Sequence, residues 1–448
     1  MKTDKYRRLL SCCPSLLDAA DKTANDKNGA LQNNIPAQVT AYVTAPVLFC
    51  YVCYILDSVK KNNINRIFFL SRDGYILKQI ADIIIERKKL KIQTSYLYVS
   101  RYSLRNALYY KCETAEDFEN AGLFTGYTLK SAKNFLKRAG LNDCQRVEVY
   151  KEIGFSDDEN KDLSDSEYSA FCEKIKNDPA LLCKIKSNSE NNYHNIMKYF
   201  EQSGLFEKGK IAVVDSGWMG TVQKTLTALV NGRTDENIIG YYFGLYRRED
   251  DNYKAFLFDV TDAYKYVPTF CNNLFECFCS APHGMTTGYR ECDGKVIPVL
   301  SDANAEMVKM AEIQTKIAVK FTEYACNNEN YIPICKMRDI SAGLLKALMY
   351  KPDKQEAEIL GAFPFSDDVT EAKIQRLAGN CKGSISNILL PVRIIRKKKG
   401  KSIYPDKYIY WLYGSIVLTG CKPAWVYRLS VREWERLRLL RERKKLCR

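Results

Sequence analysis

The chain has 448 residues, of which 46% are hydrophobic and 27% charged, with a formal net charge of +15. That composition fits a folded protein of two or three structural units and excludes a largely disordered one. Two histidines, His194 and His283, all but exclude a multi-histidine metal site or a histidine catalytic dyad, and 17 cysteines without a secretory leader point to a reducing cytoplasm.

Residues 1–62 read as a helical lead-in, polar to about residue 40 and then an apolar helix over 41–62. No apolar run reaches the length that spans a bilayer. Cys50 and Cys53 have the spacing of a metal or redox pair, but they lie in that apolar helix and no second pair completes a zinc set. Cys277 and Cys279 also lack a partner pair, so buried free thiols are expected. Residues 63–112 form the first half of an α/β core, with strands 66–70 and 94–99, a helix over 75–87 between them and another from about Ser103. Over 113–206 the strand signal vanishes. Charged amphipathic segments such as Leu129–Gly140 and Asn191–Phe200 read as a helical cap insertion. Residues 207–300 resume the core with a strand at 210–214, a helix at 219–230 and a strand at 238–245. Residues 301–384 read as helical and 385–448 as a basic, aromatic C-terminal segment. The fold class is α/β: a Rossmann-like parallel sheet with a helical cap insertion and a mostly helical C-terminal region.

The two strand-to-helix junctions carry the chemistry. In a parallel sheet the strand's carboxyl end delivers polar groups beside a helix N-terminus, which suits a phosphate. At the first junction, Ser71-Arg72-Asp73-Gly74-Tyr75, Arg72 can bind phosphate bidentately and Asp73 can take a metal, a sugar hydroxyl or a proton, while Gly74 permits close approach. The next strand ends in Ser100-Arg101, a second cation at the same edge. At the second junction, Asp215 is followed by Ser216, Gly217, Trp218, Gly220, Thr221 and Gln223. The glycines would let amides reach an anion, Thr221 and Gln223 would donate from the first helical turn, and Trp218 would stack on a sugar or base. Asp73 and Asp215 together would hold Mg2+. Glu276 lies within an aromatic run, where burial would raise its pKa and make it a base. His283, on a loop between Pro282 and Gly284, is a second candidate base.

Taken together, the motifs FLSRDGY, YVSR, VDSGWMGTVQ and FECFCSAPHGMTTGY resemble a family associated with bacterial surface-polysaccharide synthesis and described as haloacid-dehalogenase-like (HAD) hydrolases. The resemblance spans about residues 65–290 and, more weakly, Trp411–Ser415. It implies a cytoplasmic enzyme of capsule or O-antigen assembly that binds a phosphorylated or nucleotide-activated sugar. A HAD phosphatase places Asp-x-Asp at a strand end. Here Ser71 takes the first position and Asp73 the second, so glycosyl or sugar-phosphate transfer is expected ahead of hydrolysis, with a non-catalytic sugar-phosphate-binding adaptor of the same machinery as the alternative. Phosphoribosyltransferases place two acids at a strand end; here Ser216 replaces the second. Expected partners are other polysaccharide-assembly proteins and an anionic membrane surface, met by the basic residues Arg393–Lys401 and Arg432–Arg448 and by the aromatics Tyr408–Tyr413, Trp425 and Tyr427. A solvated helix face is the plainer reading of the same charges. No nucleic acid is expected.

Overall fold

The computed structural model describes residues 3–26, 34–125, 130–153, 159–234, 236–327, 332–366, 374–405 and 407–446. Leu129 and Arg448, both named above, lie outside them. Five parallel strands form the central sheet: β1 (Arg66–Leu70), β2 (Gln93–Leu97), β3 (Ile211–Trp218), β4 (Ile239–Leu245) and β5 (Tyr253–Phe258). Their order is β2-β1-β3-β4-β5. This is a recurring doubly wound order, and the direction of winding reverses between β1 and β3.

Side-chain alternation explains why the central strand β1 after Arg66, and β3 up to Val214, are apolar on both faces. Ile67 and Phe69 of β1, with Ala212 and Val214 of β3, face the helices Ala45–Lys61 and Gly74–Lys88. Phe68, Leu70, Ile211 and Val213 face the opposite layer, formed by Arg101–Leu108, Pro179–Gln202 and Thr221–Val230. A sheet covered on both faces has no solvent side to make polar. Each such residue, fully buried, contributes roughly 1.5–3 kcal/mol.

Helices between β2 and β3 close a core of their own around Phe118, Phe135, Phe171 and Ile185, which is the expected cap. Sequence periodicity did not announce β5 or the antiparallel hairpin β6 (Thr286–Cys292) and β7 (Lys295–Leu300). The hairpin stands apart from the sheet and is fastened to the helix Pro179–Gln202. The Gln202 amide donates to the Val296 carbonyl at 3.0 Å and accepts from the Val296 N–H at 2.9 Å.

The N-terminal and C-terminal helices belong to the same core as the sheet, which runs from Tyr6 to Leu439. Fully buried Glu356, on the helix Lys354–Gly361, ties that helix to the N-terminal one, accepting from Lys5 at 2.5 Å and from the Tyr6 hydroxyl at 2.6 Å. Two expectations are corrected here. The continuous helix Ile35–Lys61 is long and apolar enough to cross a membrane, although in this structure nearly all of its apolar stretch is buried within the protein. The aromatic segment 408–413 also packs inward: Trp411 is 1% exposed and donates to the Met349 carbonyl at 2.8 Å, and the Tyr413 hydroxyl donates to the Pro268 carbonyl at 2.5 Å. Cys50, Cys53, Cys277 and Cys279 are all free thiols.

Candidate functional site at the sheet switch point

Register places the functional residues at one edge. Phe69 pairs with Val214 and Leu70 with Leu97. The chain therefore leaves β1 at Ser71, reaches Ser100 just beyond β2, and carries Asp215 and Ser216 at the same level on β3. Together they open a cleft of about 410 Å³ at the reversal between β1 and β3, lined by Arg72, Asp73, Ser100, Arg101, Asp215, Ser216, Gly217 and Thr221, with Glu276 at its margin. Crevices at this position are where open parallel sheets bind ligands.

Ser216 organises the acids. Its backbone N–H donates to Asp215 Oδ1 at 2.9 Å, and its hydroxyl donates to Asp73 Oδ2. From the helix behind the sheet, the Tyr51 hydroxyl donates to the carbonyls of Asp215 and Tyr241, both at 2.8 Å, and pins the end of β3 to β4. Burial raises the pKa of Asp73, opposed by the Ser216 hydrogen bond and by Arg72 and Arg101. Burial, then repulsion from Asp73, raises Asp215 to about 8. Two acids placed this way titrate as a pair. Near neutral pH the pair retains a proton, which sets a proton donor beside a proton acceptor.

Ser71 is committed to the sheet edge: its hydroxyl donates to the Val99 carbonyl at 2.8 Å. The Ser71–Arg72 peptide is cis. Ser100 caps the helix Arg101–Leu108, accepting from the Ser103 N–H at 2.9 Å, and its hydroxyl donates to the Thr286 carbonyl at 2.6 Å. That cap fixes where Arg101, exposed on the first turn, enters the cleft.

Several expected site residues have structural work instead. Gln223 is buried; its amide donates to the Ile238 carbonyl at 2.8 Å and accepts from the Tyr242 hydroxyl at 2.6 Å. Trp218 sits among Phe258, Phe270, Phe275 and Tyr246, and its indole N–H donates to Glu276. The expected stacking platform does border the cleft, where its ring, 9% exposed among these aromatics, orients a cleft carboxylate. Gly74 lets its helix approach β1, since a Cβ there would meet the Phe69 backbone at 2.7 Å. Gly220, at φ +64°, lies against the Tyr253 ring outside the cleft lining. Gly217 does line the cleft, but its φ of +115° and a would-be Cβ contact of 2.5 Å with the Gly244 carbonyl tie it to β3–β4 pairing. Tyr75 packs edge-on against Tyr96 and His283.

His283 is corrected as a base. Its Nδ1 lies 2.8 Å from the Gly284 carbonyl and must carry the proton, so Nε2 accepts from the Tyr96 hydroxyl at 2.8 Å. Burial lowers its pKa. It lines a second, smaller cleft of about 140 Å³, together with Ala281, Asp302, Met307, Val308, Phe365 and Ile374. Arg72, Asp73, Glu276 and Ser366 border both clefts, which places them at the junction. Ser366 and Met307 had no local sequence signal, because distant segments bring them to the sheet edge.

Neither a protein-family model nor a curated protein matches this sequence. The geometry of the cleft therefore carries the functional reading.

Proposed function

We propose that the switch-point cleft binds a phosphorylated or nucleotide-activated sugar and that the protein transfers the glycosyl or sugar-phosphate group to an acceptor in surface-polysaccharide assembly. The observation that carries this reading is the coupled Asp73–Ser216–Asp215 cluster, flanked by Arg72 and Arg101 at the junction of two clefts. The guanidinium groups would hold the phosphate in the larger cleft. The smaller cleft, bordered by Asp73, Glu276 and Asp302, disfavours a second anion and suits a neutral hydroxyl-bearing acceptor. In glycosyl transfer the acceptor oxygen would attack the anomeric carbon and the anomeric C–O bond to phosphate would break. The acceptor proton would pass to Asp73 or Glu276, and the leaving phosphate would stay with the arginines.

Asp73 and Asp215 fit the protein share of a Mg2+ site, because Mg2+ is commonly held by one or two carboxylates with phosphate and water completing its shell. Among the described residues no group of three or more His, Cys, Asp or Glu side chains gathers to hold a metal without such help. When bound, the ion would neutralise charge on the phosphate. The hydrogen-bonded Ser71 argues against a phosphoryl-enzyme route and for transfer.

Phosphorus NMR of the protein with nucleotide sugars and Mg2+ tests the reaction. Release of the nucleotide that depends on an added saccharide supports transfer. Free inorganic phosphate from a sugar phosphate, without acceptor, supports hydrolysis. Binding without turnover across donors and acceptors supports the adaptor.

A further inference from the structure

The helix Leu390–Lys398 is built inside out. Its one fully buried residue is Arg393, while Ile394 and Ile395 are 45% and 54% exposed. The cause lies beneath it. The Arg393 guanidinium stacks on the rings of Tyr404 at 5.2 Å and Trp434 at 5.5 Å, and Lys397 lies over the same Trp434 ring at 5.5 Å. Among the described residues none of the Arg393 guanidinium nitrogens has a hydrogen-bond partner, so the aromatic faces, with the Glu435 charge nearby, hold the cation. With Arg393 fixed inward, the helical repeat turns Ile394 and Ile395 to the outside.

Charge surrounds that apolar pair. Arg396, Lys397, Lys398, Lys399 and Lys401 follow directly, and residues 382–405 contain no Asp or Glu. This differs from the C-terminal helix Ala424–Leu446, where three of the arginines meet acids: Arg432 meets Glu433 at 2.7 Å, Arg436 meets Glu433 at 3.4 Å, and Arg438 meets Glu435 at 2.9 Å and Glu442 at 2.8 Å. Two outward isoleucines within an unanswered basic cluster match an anionic bilayer surface, where apolar side chains enter the headgroup boundary and cations meet acidic lipid.

We propose that Leu390–Lys398 is a membrane-docking helix that lays Ile394 and Ile395 into the interface of an anionic bilayer, with Lys398 and Lys399 on the headgroups. The contact belongs to this helix and not to the aromatic segment 408–413, whose Trp411 and Tyr413 are core. It is independent of the chemistry in the switch-point cleft.

Co-sedimentation of the full chain with extruded phosphatidylcholine vesicles, with and without 30 mol% phosphatidylglycerol, tests the proposal (the lipid fraction being about that of an anionic leaflet). Binding is expected only to the anionic vesicles and should weaken with salt. Ile394→Ser with Ile395→Ser should lower the affinity about tenfold or more, and Lys398→Gln with Lys399→Gln should lower it by a similar factor. Unchanged melting temperatures would show that both variants are folded. No binding by the wild type, equal binding to neutral and anionic vesicles, or full binding by the isoleucine variant would each overturn the proposal. Full binding by that variant would return the interaction to charge elsewhere on the chain.

Discussion

Replacing Asp215 by Asn should make the protein more stable at pH 8, and less dependent on pH. The carboxyl is carried from its ordinary value of 3.8 to about 8. Unfolded, it releases its proton near pH 4; folded, near pH 8. Between those values the folded state holds the extra proton, so wild-type stability falls as pH rises through this window. Each pH unit of the difference is worth about 1.4 kcal/mol, which sets a ceiling of roughly 6 kcal/mol on the cost of ionising Asp215. The cost is shared with Asp73, whose repulsion is the second cause of the shift, and interiors screen charge better than a dry medium. A gain of about 2–3 kcal/mol at pH 8 is therefore expected for Asp215→Asn. For a chain of this length that corresponds to about 3 °C in Tm. Scanning calorimetry of both proteins at pH 5, 6, 7, 8 and 9 measures it. The two curves should diverge progressively above pH 5. Parallel curves would refute the reasoning, because they would mean that Asp215 is already ionised and compensated in the folded protein.

Arg72→Ala should leave the fold intact and weaken a phosphorylated ligand ten- to a hundredfold, the loss of a charge-assisted contact worth about 1.5–3 kcal/mol, read by titration calorimetry. Gln223→Leu should strand the Tyr242 hydroxyl and the Ile238 carbonyl at about 1–3 kcal/mol per group, read by urea unfolding, with ligand affinity unchanged. Glu356→Ala should cost about 3–5 kcal/mol by the same assay, since it leaves Lys5 and Tyr6 without their buried acceptor. Hydrolysis of p-nitrophenyl phosphate with Mg2+ should stay at background. Turnover abolished by Asp73→Asn would show that HAD chemistry survives despite Ser71.

The strands that build the site were legible because each is a short apolar run ending in Ser, Arg or Asp. The convergence of Arg72, Asp73, Arg101 and Asp215 followed from their shared place after those strands. Strand β5 escaped because its Lys254 interrupts the apolar pattern. Gln223 was misread from its place in the first helical turn. Its spacing from Leu226 and Val230 puts it on the sheet-facing stripe, and all three are buried. Trp218 and His283 carry contacts that the local motifs did not show. Their hydrogen-bond partners, Glu276 and Tyr96, come from distant parts of the chain, and a local motif cannot show that a polar atom is already engaged. The inverted helix at Arg393 depends likewise on Trp434, supplied from 41 positions away.

The central claim is that the switch-point cleft recognises a sugar bearing phosphate. Thermal-shift measurement across a panel of nucleotide sugars and sugar phosphates, on wild type and Arg72→Ala with and without Mg2+, tests it most directly. Ligand at about a hundred times its Kd stabilises the native state by about 2.7 kcal/mol, about 3 °C for this chain. At least one phosphorylated sugar should raise the wild-type Tm by that order and lose the effect in Arg72→Ala, while the unphosphorylated sugar has none. No shift across the panel, or an equal shift in the variant, would contradict the claim.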